Sequence, residues 1–126
     1  QTWARNCGTT AAVELLQQAT LYVANVGDSR AELARSGHAI RLTVDHKPSL
    51  PEETARITER GGFVKFKRVN GVLAVSRALG DHSLQPHVSA EPHVARMDLQ
   101  PNDQFLVLAC DGVWDVLSDE AACELV

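Results

Sequence analysis

At 126 residues and 44% hydrophobic, the chain has the size and composition of one globular domain, and none of its apolar runs approaches the ~18 residues of a membrane span. It opens on no charged, apolar and small-residue leader of the secretory kind. Twelve Lys and Arg against sixteen Asp and Glu give a net charge of −4, which excludes the basic footprint of a nucleic-acid binder.

Three cysteines, Cys7, Cys110 and Cys123, show no Cys-x-x-Cys spacing, which argues against a disulfide framework or a zinc knuckle and for a reducing compartment, cytoplasmic or nuclear. The five histidines (His38, His46, His82, His87, His93) lie in polar stretches without helical pairing and read as surface residues.

Both ends read as cut. The opening "QTWARNC" has neither capping nor tail-like composition, and a helix that starts at Ser118, with Asp119 and Glu120 in its first turn, has only two turns left to run. Ala11 to Leu16 is helical by propensity, but its place before "QQATLYVANV" suits the first arm of a hairpin, and a strand is predicted there. Leu21 to Val26 breaks at Gly27-Asp28, Ala31 to Ala34 breaks at Ser36-Gly37, and Ala39 to Val44 follows, the pattern of a meander.

"SLPEETARITERGG" predicts a helix of about three turns, with Ser49 and Glu52 at capping-box spacing, Pro51 in the first turn and Gly61-Gly62 as the stop. Its apolar residues, Leu50, Ala55 and Ile57, make one thin stripe, so a peripheral and mobile element is expected. "FVKFKRV" reads as a strand carrying a local basic patch, and Asn70-Gly71 as a hairpin turn. "ARMDLQPNDQFLVLACDG" reads as strand, turn and buried strand, with Cys110 acting as a small hydrophobe. The sum is a largely antiparallel sheet system with helices outside it.

Three carboxylates share one context: Asp28, Asp81 and Asp111 each stand beside a glycine near the end of an apolar segment. A strand end can hold a side chain rigidly at a cleft mouth, and hard cations such as Mg²⁺ take such oxygen-only ligands. Gly-Asp and Asp-Gly are equally good turn dipeptides, so each taken singly reads both ways. Arg30 reads as a structural partner for neighbouring Asp28, whereas Arg77 reads either as a phosphate fork or as a structural pair with its neighbouring Asp81. Trp114 reads as packing bulk. No nucleophile elbow, P-loop, dinucleotide fingerprint or His-Glu-x-x-His is present, which leaves metal-assisted chemistry or none.

In order and spacing, "GTTA" (8–11), "ANVGDSRA" (24–31), "LTVDHKPSLPEETARITERGG" (42–62), "VNGVLAVSRALGD" (69–81), "EPHV" (91–94) and "FLVLACDGVWDVLSDEAA" (105–122) resemble the metal-dependent serine/threonine protein phosphatases of type 2C. The resemblance implies an α+β fold: a four-layer α-β-β-α sandwich with two antiparallel sheets flanked by helices. It implies a centre of two Mg²⁺ or Mn²⁺ ions, with a weaker third, that hydrolyses phosphoserine and phosphothreonine in phosphoprotein substrates; the full domain is expected to be monomeric, and the charge balance and short apolar runs predict no nucleic-acid or membrane partner.

By the same resemblance Asp111 is the core metal and catalytic aspartate, with Gly112 beside it. Asp28 is the aspartate of the weaker third metal. Residues 46–64, with His46 at their start, form the flap that contributes to substrate choice. Arg77 and Asp81 organise the site. The 126 residues then correspond to the central to C-terminal part of a catalytic domain, roughly half of it, without the other metal ligands, and the chain alone is expected to be inactive. The competing expectation is a pseudophosphatase that uses the same sandwich for binding.

Overall fold

The computed structural model describes residues 6–126; the opening stretch 1–5, part of the end read above as cut, lies outside the described residues. In chain order the strands are β1 (Gly8–Thr9), β2 (Ala11–Gln17), β3 (Thr20–Val26), β4 (Arg30–Arg35), β5 (His38–Arg41), β6 (Val64–Lys65), β7 (Arg68–Val69), β8 (Leu79–Gly80), β9 (His93–Asp98) and β10 (Asp103–Ala109). The helices are α1 (Pro51–Glu59), α2 (Asp111–Trp114) and α3 (Asp119–Glu124), with a 3₁₀ turn at His82–Leu84. Described residues 6–11, 26–28 and 45–92 form one compact unit, and 12–25, 29–44 and 93–126 form a second.

The second unit holds two three-stranded sheets, in the orders β2-β3-β9 and β10-β4-β5. β3 runs antiparallel to β9 from Thr20↔Asp98 to Asn25↔His93, and β4 antiparallel to β10 and β5. The predicted meander is therefore corrected: β3 and β4 are consecutive but belong to different sheets. The cause is the shared core of Leu21, Val23, Ala31, Leu33 and Leu42, packed with Ile40, Met97 and Leu99. The inward residues of β3 and β4 meet face to face, as in a sandwich, instead of edge to edge; each fully buried Leu or Val contributes about 1.5–3 kcal/mol.

β10 is not the buried strand expected from its run of apolar residues. It alternates, with Leu106 and Leu108 37% and 49% exposed, because a period of two turns every second side chain outward. Cys110 is likewise exposed, and Cys123 is the buried thiol. Ser118 caps α3 as predicted, its side chain accepting from the Ala121 N–H at 3.1 Å.

In the first unit α1 begins one residue later than the capping box requires. Pro51 occupies the first helical position, where its fixed φ is already helical. A residue before proline is driven to extended geometry, so Leu50 (φ −66°, ψ 136°) becomes the cap and no side chain caps the helix. Gly61, at φ +82°, stops it, with the Gly62 N–H donating to the Ile57 carbonyl at 2.9 Å. The buried face is Glu53 and Ile57, one turn apart, and not the Leu50–Ala55–Ile57 stripe; Ala55 is exposed. Ile57 packs with Val69, Ala78 and Val88.

The segment read as one strand, 63–69, is a tight hairpin of β6 and β7, paired Val64↔Val69 and Lys65↔Arg68. Its two-residue loop is Phe66-Lys67, at φ 53° and 59°. The left-handed region costs roughly 1–2 kcal/mol for each side-chain-bearing residue, and such loops ordinarily take Asn-Gly. Asn70-Gly71 makes a second turn that returns the chain so that Val69 and Leu73 exchange hydrogen bonds. No helix among the described residues is long and apolar enough to cross a membrane.

Candidate active site

Asp28 sits in a turn that the sequence can build only with glycine. Gly27 has φ +89°, and a Cβ there would lie 2.3 Å from the Thr10 Cγ2. His46 clamps this turn twice: its backbone N–H donates to the Gly27 carbonyl at 2.9 Å, and its Nδ1 accepts the Gly27 N–H at 3.0 Å. An accepting Nδ1 is unprotonated, which puts the ring proton of the neutral imidazole on Nε2. The His46 carbonyl in turn accepts the Ser76 N–H at 3.0 Å, linking the turn to the residue before Arg77. His46 is buried, against the reading of all five histidines as surface residues. The buried Asp28 carboxylate is bonded by Lys47 Nζ. The only sequence signal for Lys47 is its place immediately after His46.

Arg77 resolves into a structural pair, but with Glu53 and not with Asp81. Its Nη2 donates to Glu53 Oε1 at 2.7 Å, its Nε donates to both Glu53 oxygens at 3.2 and 3.3 Å, and its Nη1 donates to the Glu91 carbonyl at 3.1 Å. Arg56 Nη2 adds a bond to Glu53 Oε2 at 3.0 Å and another to the Ser76 carbonyl at 2.9 Å. Burial alone would push Glu53 up, yet the hydrogen bonds from Arg77 and Arg56 outweigh it and hold the carboxyl at about 2. Sequence reasoning missed Glu53, because a helix with so few apolar residues gives no hint that its buried face carries an acid.

Asp81 has φ 48°, and its N–H donates to the Cys7 carbonyl at 2.8 Å. Its carboxylate lies against Gly8, where a Cβ would come within 2.0 Å of Oδ2. Glycine at position 8 is what leaves room for this side chain.

Asp111 and Gly112 belong to the second unit, and Asp28, His46, Arg77 and Asp81 to the first. Asp111 opens α2 directly after an extended Cys110, and Trp114 Nε1 donates to the Ala109 carbonyl at 2.7 Å, tying the short helix back to the end of β10. Asp111 and Gly112 are exposed, and the position of a Gly112 Cβ meets open space. Among the described residues no basic side chain forms an ion pair with Asp111. No group of three or more His, Cys, Asp or Glu is placed to hold a metal among them.

Arg30, expected beside Asp28, instead pairs with Asp119 at 2.6 Å and lies 5.0 Å over the Trp114 ring. Arg41 shares Asp119 at 2.7 Å. Next to them Glu32 is fully buried, with neither carboxylate oxygen hydrogen-bonded and Arg30 Nη1 3.7 Å away. Burial first, and the Asp119 carboxylate second, push Glu32 up to about 7 against the pull of Arg30 and Arg41.

The sequence model of the Protein phosphatase 2C family matches residues 2–126. The chain belongs to that family. Protein phosphatase 2C 3 of Arabidopsis thaliana is 51% identical over 122 residues, which are 94% of this chain and 28% of the relative. Protein phosphatase 2C homolog 1 of Saccharomyces cerevisiae is 50% identical over 109 residues, 86% of this chain and 39% of the relative. Among solved structures, a C. elegans sex determining protein superposes with a TM-score of 0.88 at 35% identity, over 94% of this chain and 30% of that one. Serine-threonine phosphatase 2C from Toxoplasma gondii gives 0.87 at 28% identity, over 95% and 46%. The α+β reading with antiparallel sheets agrees with these neighbours. The chain spans 28% and 39% of the length of these two curated relatives.

Proposed function

We propose that this chain is the central to C-terminal part of a larger protein phosphatase 2C catalytic domain, with its flap at about 46–64, that hydrolyses phosphoserine and phosphothreonine in proteins. Two observations support the larger domain. The chain spans only 28% and 39% of the two relatives, and on one face of β2 the side chains Val13 and Leu15 are each about 60% exposed, an apolar surface of the kind a folded monomer seldom leaves uncovered.

The observation that carries the activity is Asp111: a carboxylate fixed at a strand end by a short helix, open to solvent and unneutralised by any described base. Its oxygen-only character suits Mg²⁺ or Mn²⁺, as does that of Asp28, so the residues present fit part of a metal-ligand set. Such ions, when bound, supply Lewis acidity and an activated water for in-line attack on phosphorus. The chain's own residues do the rest. Asp111 holds charge at the end of β10 in the second unit, Asp28 holds charge in its turn in the first, and His46 sets the angle of the Asp28 turn. Arg77 is positioned by Glu53, Asp81 is seated against Gly8, and Gly112 leaves space beside Asp111.

One observation favours a second reading, a pseudophosphatase used for binding: Lys47 already neutralises Asp28. Mn²⁺-dependent turnover of a phosphothreonine peptide by the full-length protein separates the two. The phosphatase reading expects turnover that Asp111→Asn reduces at least 100-fold, and none from the 126-residue chain alone. Full activity in the Asn variant would remove Asp111 from the site, and an inert full-length protein would leave the binding module.

A further inference from the structure

In a chain of net charge −4, residues 60–80 contain Arg60, Lys65, Lys67, Arg68 and Arg77 and not one Asp or Glu. Glu53 takes the charge of Arg77, but among the described residues no carboxylate pairs with Lys65, Lys67 or Arg68. These three side chains belong to the β6–β7 hairpin, whose loop holds Phe66 and Lys67 in the left-handed region, where glycine or asparagine would be relaxed. Phe66 is 80% exposed at the tip, with Lys65 Nζ 5.1 Å from its ring centroid. Core packing does not account for this strain, since neither loop side chain is buried. Strain held at an exposed position points to a task at that position.

Beside the tip is an open pocket of about 390 Å³ lined by Lys47, Ser49, Phe66, Lys67, Arg68 and Ala74. Its wall is cationic and hydroxylated, with one aromatic edge, and no carboxylate lines it. Lys47, on the same wall, reaches the Asp28 carboxylate, so the pocket adjoins part of the candidate active site within one unit.

We propose that the hairpin tip and this pocket dock an acidic stretch of the protein substrate. Lys67 and Arg68 meet Asp or Glu side chains that flank the phosphorylated residue, and Phe66 covers the apolar part of the same segment. The docking rests on the phosphatase reading and adds to it a substrate class. Charge complementarity selects the occupant: three bases without acidic partners favour carboxylates, and Arg68, whose Nη1 donates to the Val72 carbonyl at 2.8 Å, keeps its Nε and Nη2 edge for them. Ser49 can donate a further hydrogen bond.

The test uses the full-length protein, wild type and K67E/R68E, with two phosphothreonine peptides that differ only in flanking Glu or Gln. Wild type is expected to favour the Glu peptide about 10-fold in kcat/KM, through KM, with the preference shrinking as salt is raised. K67E/R68E is expected to abolish or invert the preference, K67R/R68K to keep it, and Phe66→Ala to weaken both peptides through KM.

Equal wild-type rates on the two peptides, or an equal loss on both peptides and on p-nitrophenyl phosphate in K67E/R68E, would overturn the docking. Binding of the same peptides, followed by fluorescence anisotropy, separates this from failure of the phosphatase reading. A protein without turnover that still prefers the Glu peptide keeps the docking site and loses the enzyme. Absence of any preference in binding removes the docking site. Binding to phosphatidylserine vesicles in place of the Glu peptide, lost in K67E/R68E, would assign the patch to a membrane and overturn the proposal.

Discussion

Each unit buries a glutamate on its interior, and the two are treated in opposite ways. Glu53, 2% exposed, receives bonds from Arg77 and Arg56 on both oxygens, and its carboxyl is held at about 2. Glu32, 0% exposed, receives no hydrogen bond from a base, and burial followed by the neighbouring Asp119 carboxylate, to which its protonated form donates, pushes it up to about 7. Burial is nearly equal, so burial does not decide what a buried acid does to a fold. The decisive matter is whether guanidinium donors are aimed at it. The two arginines near Glu32, Arg30 and Arg41, are bonded to Asp119 instead.

The largest expected effect is at the paired acid. Glu53→Ala should destabilise the protein by about 3–5 kcal/mol, because it leaves two half-buried guanidinium groups without their counter-charge. Urea unfolding measures this, and a loss below about 1 kcal/mol would mean the pairing is not what holds α1.

The pH dependence sharpens the contrast, because the two glutamates have opposite signs. Glu53 is lowered from 4.5, so its contribution is complete above pH 4.5 and is lost as the pH falls toward 2, a change of about 3 kcal/mol. Glu32 is raised from 4.5, so the fold binds the extra proton and stability declines as the pH climbs from 4.5 to about 7. Against wild type, the unfolding curves of Glu53→Gln should show a shallower acid limb, with the lowered Asp119 and Asp103 keeping the remainder, and those of Glu32→Gln should lose the neutral limb.

Glu32→Leu follows: at pH 8 it should stabilise by about 1–3 kcal/mol, as replacement of an unsatisfied buried charge by an apolar side chain does. A destabilised variant would show that Glu32 is better satisfied than the geometry indicates.

The smallest effect compares the two helix starts. Ser118→Ala should cost about 1 kcal/mol, since Ser118 caps α3, and Ser49→Ala less than about 0.5, since Ser49 caps nothing. Thermal unfolding resolves the pair, and equal losses would undo the reading of the Pro51 start.

Much of this was legible along the chain wherever one local rule acted alone. Ser118 needed only its own side chain and the next turn of backbone. Gly61 and Asn70-Gly71 needed only permissive φ, and β2 was recovered by its place in a hairpin against its helical propensity. The failures came where two rules competed. Ser49 and Glu52 satisfied a capping box, but Pro51 forced Leu50 into the extended region and displaced the cap. The alternation in 63–69 satisfied a strand, but the chain turns back between Phe66 and Lys67. His46 looked like a surface residue because its neighbours are polar, whereas it is buried by the turn that it clamps.

The sequence by itself determined the family, because a string of short motifs in a set order is a property of the chain and survives without coordinates. It also determined which carboxylates to weigh, Asp28, Asp81 and Asp111, since a glycine beside each is a local signal. Only the tertiary structure decided which charges meet. The partners of Arg77, Arg30 and Asp28 are Glu53, Asp119 and Lys47, separated from them along the chain by 24, 89 and 19 residues. An ion pair is a matter of distance in space, and residue order carries no record of it until the sheets and the helix have packed.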